Sequence, residues 1–436
     1  MRVLISGASV AGPVLAYWLD RFGFTPVVVE RTPRPRLGLG GHAVDLFAPA
    51  MVVADRMDLV PQLRKAATES TALRVERPGK SPIEMDLREI SDAFADDRHL
   101  EIMRGELAAI LHEATADRVE YLFGDSIHTL TDTPDGVDVT FDNGHTRRVD
   151  LVVGADGLHS AVRRLVFGPD RELQRFLGGY FAVGTLPNYR NLSQLTVLYH
   201  TVDRIAAMYP VWQTGQARAI FLFRRAVEPD YDHRDLAAQR RLLRAEFADE
   251  GWEIPRLLDE MDRAEDFYLD SISQIRMDSW SRGRVTLVGD AGYAPGPAIG
   301  GGTTLAVVGA YVLARALADA DGDHTAAFAA YENRLRDYVL RCREVAPGAM
   351  RRGIPRSRAQ LVFNELAMRL LPRIPAGIRH RLMADGASNT LSSFTVPDRT
   401  APASPGVAQR RRQTVHGEQN AAFDQLRVIP GSQSAQ

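Results

Sequence analysis

The hexapeptide Gly7-Ala8-Ser9-Val10-Ala11-Gly12 carries the first chemistry of the chain, and Glu30 follows Gly7 by 23 positions. A first glycine permits a tight turn, and a last one lets a helix pack closely on a strand. The helix start behind them offers free N–H groups to a pyrophosphate. Glu30 can accept hydrogen bonds from a ribose hydroxyl. Ser9 stands where such loops carry their second glycine, and its small side chain weakens the match without breaking it. Gly7, Ser9, Val10, Ala11, Gly12 and Glu30 are therefore the candidate dinucleotide contacts. The loop alone does not choose between NAD and FAD, which share it.

Two later stretches place aspartate and glycine in similar settings. DLVVGADGLHSAVRRLVFG, residues 150–168, contains Asp156 and Gly157. GRVTLVGDAGYAPGPAIGGGTTLAVVGAYVLARAL, residues 283–317, contains Asp290, Pro297, Gly300, Gly302, Thr303 and Thr304. Other chemistries find little material. Cys342 is the single cysteine, so an internal disulfide and a cysteine metal cluster are excluded. With only Lys65 and Lys80, Schiff-base chemistry has few candidates. The 11 histidines show no metal spacing, and no Ser-His-Asp arrangement stands out. HRDLAA at 233–238 lacks every other kinase element.

The elements that must position these residues are legible as patterns. Val3-Leu4-Ile5, Val27-Val28-Val29, Leu151-Val152-Val153 and Val285–Val288 read as buried parallel strands, each running into a turn. Val14, Leu15, Trp18 and Leu19 recur at helical spacing, as do Leu305, Val308, Val312, Leu313 and Leu317. Residues 127–148, with turns at Asp135-Gly136 and Asn143-Gly144, predict a β-meander. Residues 72–87 predict a hairpin, and QLTVLYH, RIAAMYPVW and ARAIFLFRR three strands of an antiparallel sheet. Residues 235–250 and 325–385 read as helices. Hydrophobic residues make up 45% and charged ones 25%, with a net charge of −2, as in an ordinary globular protein without a nucleic-acid or membrane partner. No signal peptide or apolar run long enough to span a bilayer is visible, so the expected location is the cytoplasm.

The three motifs GASVAG, GADG and GDAGYAPGP, in that order, together with Arg104 in IMRGELAAIL, make the chain resemble the FAD-dependent monooxygenases of the para-hydroxybenzoate hydroxylase type. It is similar in particular to the single-component aromatic and polyketide hydroxylases that include tetracycline-inactivating enzymes. The resemblance spans residues 3 to about 317. It implies an α/β fold, in which a Rossmann-like FAD-binding domain carries an inserted antiparallel-sheet substrate domain and C-terminal helices. The implied division is 1–71, 98–173 and 276–325 for FAD; 72–97 and 174–275 for substrate; 326–394 for bridging helices; and 395–436 for a disordered tail.

The resemblance also implies roles. Asp290 would bind the ribityl chain, and Arg104 the pyrophosphate or ribityl region. Arg31 would lie at the adenosine side, and Asp156 and Gly157 would support the pyrophosphate. The glycines from Gly300 would pass close to the isoalloxazine, with the helix start at Gly302, Thr303 and Thr304 facing its N1/O2 edge. This sequence has Gly300-Gly301-Gly302 and Thr304 where the family often has GQG and asparagine, so that contact falls to backbone N–H groups. The Gly38–Gly41 loop and Pro295–Gly302 would frame a flavin that moves between in and out positions. FAD would be noncovalent, with NADPH or NADH as transient donor and dioxygen delivered through a flavin C4a-hydroperoxide to an aromatic or polycyclic substrate. His42 and Asp45 would lie near the flavin, and Tyr199, Met208, Phe221 and Phe223 are candidates for an apolar substrate pocket. Oxidase, dehydrogenase or halogenase chemistry on the same fold is the alternative, as is a non-catalytic flavin binder. GWEIP at 251–255 lacks the second tryptophan and the lysine that halogenation needs.

Overall fold

A computed structural model describes residues 1–35, 41–68, 70–77, 79–87, 98–228, 234–297, 300–375, 378 and 387–398. The valine-rich runs pair as a six-stranded sheet in the order Ser281–Arg282, Val285–Leu287, Leu151–Gly154, Arg2–Ser6, Thr25–Glu30, Glu120–Phe123. All neighbours are parallel except the short first strand. Val3, Leu4, Ile5, Val28, Val152 and Val153 are wholly buried, because helix Ala11–Arg21 and the strands Gly136–Phe141 and Thr146–Val149 pack on this sheet. Helices Ala11–Arg21 and Gly302–Asp319 pack on each other, Trp18 meeting Tyr311 edge-on at 4.8 Å. Leu305, Val308, Val312, Leu313 and Leu317 are all buried.

A seven-stranded sheet follows the order Tyr268–Ile275, Gln174–Pro187, Gln216–Arg224, Arg204–Val211, Leu195–Thr201, Ala72–Arg77, Lys80–Asp86. Only Leu195–Thr201 with Ala72–Arg77 is parallel. The hairpin at 72–87 thus extends a sheet built mostly from residues over a hundred positions later. One face packs on helices Leu236–Glu246 and Ile254–Arg263 through Leu243, Phe247, Leu257, Leu258 and Met261. The other face turns toward the first sheet's loops, with Tyr209 against Met103 and Ala43. The predicted meander forms as Ile127–Thr133, Gly136–Phe141 and Thr146–Val149. A two-stranded ribbon pairs Ala43–Leu46 with Leu100–Met103.

The 30-residue helix His324–Gly353 lies beside Gly302–Asp319, and helix Arg358–Leu370 reaches the hairpin Ala72–Asp86. There Arg77 pairs with Glu365 at 2.9 Å. The end of the chain corrects one expectation. Residues 395–398 are docked: Val396 is buried, and the Pro397 carbonyl accepts a hydrogen bond from Tyr311 Oη at 3.2 Å. The rest of the expected tail, 399–436, lies outside the described residues, as do residues 38–40 of the Gly38–Gly41 loop. No described helix is long and apolar enough to cross a membrane.

Candidate active site

The first turn is as tight as its glycines require. Gly7 has φ +108°, and a Cβ there would lie 2.5 Å from the Ala155 carbonyl oxygen. A Cβ on Gly12 would lie 1.9 Å from the Gly7 carbonyl oxygen. The Ala8 N–H donates to Glu30 Oε2 at 2.9 Å, while Thr32 donates its N–H and hydroxyl to Oε1, both at 3.1 Å. Glu30 is thus held at the strand end, beside the exposed Arg31. Val10 and Ala11 are buried and Ser9 is half-buried at the start of the helix.

That helix start has no side-chain cap and no acid in its first turn. The same holds for Gly302–Asp319. Helices Leu236–Glu246, His324–Gly353 and Arg358–Leu370 are instead capped by Asp235, Asp323 and Ser357. Uncapped N-termini keep their N–H groups and partial positive charge free for an anion.

Arg104 and Asp290 bring charge to the same place. Arg104 begins helix Arg104–Glu113 and donates its backbone N–H to the His42 carbonyl at 3.1 Å. Its guanidinium has no partner among the described residues, and neither has the Asp290 carboxylate. Burial pushes the Asp290 pKa up, and the charges of Arg104 and Arg163 pull it back. A Cβ on Gly302 would lie 3.4 Å from Asp290 Oδ1, so carboxylate and helix start adjoin. His42 stays neutral: burial first, and the Arg104 charge second, lower its pKa to about 4. A half-buried carboxylate and a cation without partners among the described residues, beside open helix starts, fit a ligand with hydroxyls and phosphates.

Asp156 is engaged differently from these. It accepts hydrogen bonds from Ser160 Oγ at 2.5 Å and from the Ala161 and Val162 N–H groups at 2.8 and 3.2 Å. It therefore holds the start of helix Ala161–Phe167, with Gly157 (φ +80°) turning the chain before it. Arg163 is fully buried and donates to the Ala291 carbonyl at 2.8 Å and to Asp170. It ties the second motif to the third.

The two-stranded ribbon supplies a cluster that the sequence only half revealed. Asp45 Oδ1 pairs with His99 Nε2 at 2.8 Å, and Asp45 stands opposite Glu101 in the ribbon. Burial raises the Glu101 pKa, and Thr68 donates a hydrogen bond to its carboxyl group. A Cβ on Gly300 would lie 2.6 Å from Asp45 Oδ2. The Thr304 hydroxyl accepts the Phe47 N–H at 3.0 Å and donates to the Asp45 carbonyl at 3.3 Å, so it locks helix to ribbon. Thr303 is half-buried and Pro297 exposed.

The substrate candidates need correction. Strand pairing puts Tyr199 with Ala206, and Phe221 with Ala182 and Ala206, on the face that carries Met208 and Phe223. That face packs on the two helices, so all four residues are core and point away from the loops of the first sheet. Tyr199 instead stacks on Trp252 at 5.2 Å and donates to Glu250. The opposite face carries Phe181, Ile205, Ala207, Tyr209, Arg218, Ile220 and Leu222. Phe181 meets the His42 ring at 4.9 Å, and Tyr209 Oη accepts the Ala43 N–H at 3.1 Å. Arg218 donates its Nε–H to the Gly41 carbonyl at 3.1 Å, and its buried Nη1 has no partner among the described residues.

Fold and site together define a dinucleotide-binding flavoprotein. The family described as FAD binding domain matches residues 1–353, and the chain belongs to that family. It is a flavoprotein monooxygenase with FAD as its cofactor, of the class that includes the tetracycline-inactivating enzymes. An uncharacterised protein of Mycobacterium tuberculosis is 42% identical over 343 residues, covering 78% of this chain and 91% of its own. A flavin-dependent monooxygenase from an unknown prokaryotic organism is 41% identical over 339 residues, covering 78% and 86%. Among solved structures, the tetracycline destructase Tet(55) aligns with a TM-score of 0.76 at 34% identity, covering 91% of this chain and 98% of its own.

Proposed function

We propose that the protein uses NADPH or NADH and dioxygen to insert one oxygen atom into an aromatic or polycyclic substrate. The observation that carries this reading is the inner sheet face: Phe181, Tyr209, Ile220 and Leu222 present an apolar wall beside His42, with Arg218 as its polar contact. A flat, largely apolar molecule with a few oxygen functions suits such a wall. The similarity to an enzyme named for destroying tetracycline, a fused-ring compound, supports the same substrate class.

FAD, when bound, supplies hydride acceptance and dioxygen activation, so the protein's own tasks are binding, orientation and exclusion of water. Gly7, Ser9, Val10, Ala11 and Gly12 would receive the pyrophosphate, Glu30 and Arg31 the adenosine end, and Arg104 an anionic group. Asp156 and Gly157 would act on it through the turn they shape, and Asp290 would hold the ribityl hydroxyls. The backbone of Pro297, Gly300, Gly302, Thr303 and Thr304 would border the flavin, with His42 and Asp45 nearby. We take the first sheet as the FAD-binding part, the seven-stranded sheet as the substrate part, and the helices from 326 as the bridge. The single, buried cysteine suits a reducing compartment, and we place the protein in the cytoplasm.

The test is a visible spectrum of the purified protein, followed by NADPH and oxygen consumption with a panel of phenols and polyketides. A flavin spectrum, substrate-stimulated coupled consumption and a product one oxygen heavier are the expected result. A flavin reduced by the organic substrate itself would move the reading to an oxidase or dehydrogenase.

A further inference from the structure

Tyr268 begins the edge strand Tyr268–Ile275 and stands opposite Val183. Pairing places it on the same face as Phe181 and Asp270, the face that meets His42. Its hydroxyl donates to Asp270 Oδ2 at 2.6 Å, and His159 Nε2 reaches the same oxygen at 2.7 Å. The other carboxylate oxygen accepts the Ser271 N–H at 2.8 Å. The phenol is therefore tethered through a buried carboxylate to the turn that follows Asp156 and Gly157. Tethering removes rotamer freedom that a ligand would otherwise have to freeze.

The ring itself remains open: Tyr268 is 42% exposed. Its hydroxyl end is turned inward onto the buried Asp270 carboxylate, and burial raises its pKa well above the ordinary value. Strand pairing sets the open ring on the face whose Phe181 meets His42, and His159 joins it to the turn after Asp156 and Gly157, so it stands next to the residues proposed for the cofactor. None of the motifs brought Tyr268, Asp270 or His159 to this role.

We propose that Tyr268 is a stacking platform for the planar heteroaromatic ring of a nucleotide cofactor, with Asp270 and His159 as positioning residues that fix it. The proposal rests on the FAD and NAD(P)H reading above. Two rings share the required chemistry, the isoalloxazine of FAD and the nicotinamide of the donor.

Two titrations on Tyr268→Leu, Tyr268→Trp and Asp270→Ala decide the matter. FAD is added to apoprotein and followed by flavin fluorescence, and NADP+ is titrated calorimetrically into holoprotein. Tyr268→Leu is expected to weaken one of the two by about tenfold, the scale of one lost aromatic stack. Tyr268→Trp restores that affinity, and Asp270→Ala weakens the same titration by about threefold, a smaller loss because the ring is still present. A loss confined to NADP+ assigns the platform to nicotinamide, and a loss in the FAD titration assigns it to isoalloxazine. Unchanged affinity of Tyr268→Leu for both overturns the proposal. So does a tryptophan variant that fails to restore binding, since that marks a role in folding rather than stacking. The donor reading fails separately, if wild-type holoprotein binds neither NADP+ nor NAD+, and the FAD titration then still tests the platform.

Discussion

The Glu30 carboxylate accepts the Ala8 N–H at 2.9 Å, so the end of the second strand and the glycine turn are one rigid unit. This bond lets Glu30 shape the turn, beside the role proposed for it in receiving a ligand hydroxyl. Glu30→Gln keeps an oxygen for Ala8 but loses the charge, whereas Glu30→Ala loses both. FAD affinity is expected to fall about tenfold in the glutamine variant and more in the alanine variant, the scale of a hydrogen bond to a charged group. Fluorescence titration of apoprotein checks the ranking, and equal affinities would remove Glu30 from the site.

Gly12 and Ser9 should behave in opposite ways. A Cβ on Gly12 would meet the Gly7 carbonyl oxygen at 1.9 Å, a backbone atom that cannot swing aside. Gly12→Ala therefore costs about 3 kcal/mol of stability by overpacking and abolishes FAD retention. Ser9 occupies a position where a side chain is already accommodated, so Ser9→Gly leaves FAD affinity within about twofold. Thermal unfolding and flavin content of the purified variants separate the two.

The sheet faces show where sequence reading stops. Four strands of the six-stranded sheet were legible because buried parallel strands are continuous apolar runs ending in turns, whereas Glu120–Phe123 and the two-residue Ser281–Arg282 carry no such run. Alternation in QLTVLYH, RIAAMYPVW and ARAIFLFRR likewise sorted side chains into two sets. It could not say which set faces the cofactor loops, because helices 236–246 and 254–263 bury one set as thoroughly as the site shelters the other. The 14-residue strand Gln174–Pro187, which joins the outer strand to the sheet, carries three glycines and escaped notice. His99 and Glu101, Arg218, and Tyr268 come from three different segments, and only pairing across the sheets brings them together.

Phe221 and Ile220 turn that distinction into a measurement. Phe221→Ala empties a fully buried position against Phe247 and is expected to cost about 3–5 kcal/mol. The substrate KM of the protein that remains folded should not change. Ile220→Ala, on the inner face, should cost less stability and raise KM. Urea unfolding and steady-state kinetics on the first substrate found provide both numbers.

His42 makes apoprotein stability depend on pH. Its folded pKa is lowered to about 4 by burial and by Arg104, against an ordinary value of 6.5. Between these two values the unfolded chain binds a proton that the folded chain refuses. The contribution is therefore complete above the ordinary value and is lost progressively as pH falls toward the folded one, up to about 3 kcal/mol. Urea midpoints across that interval should fall more steeply for wild-type apoprotein than for His42→Asn. Parallel slopes would show that His42 titrates normally in the folded chain.

The docked C-terminal segment reaches the Gly300–Gly302 turn, proposed to border the flavin, through one side chain. Leu391 is fully buried, and its Cδ2 lies 2.1 Å from where a Cβ on Gly301 would stand. Tyr338 Oη donates to the Leu391 carbonyl at 2.6 Å, which fixes the segment to the long helix. The turn Gly300–Gly302 is therefore packed from outside by a residue some 90 positions away in sequence. Leu391→Ala removes that packing and is expected to cost about 2–5 kcal/mol, with weaker FAD retention because the helix start at Gly302 loosens. A chain ended after Asp398 keeps Leu391, Val396 and Pro397 and should bind FAD like the full chain. A chain ended after residue 386 should match or exceed the loss of Leu391→Ala. Equal FAD affinity in all three would show that the cofactor loop holds its shape without the segment.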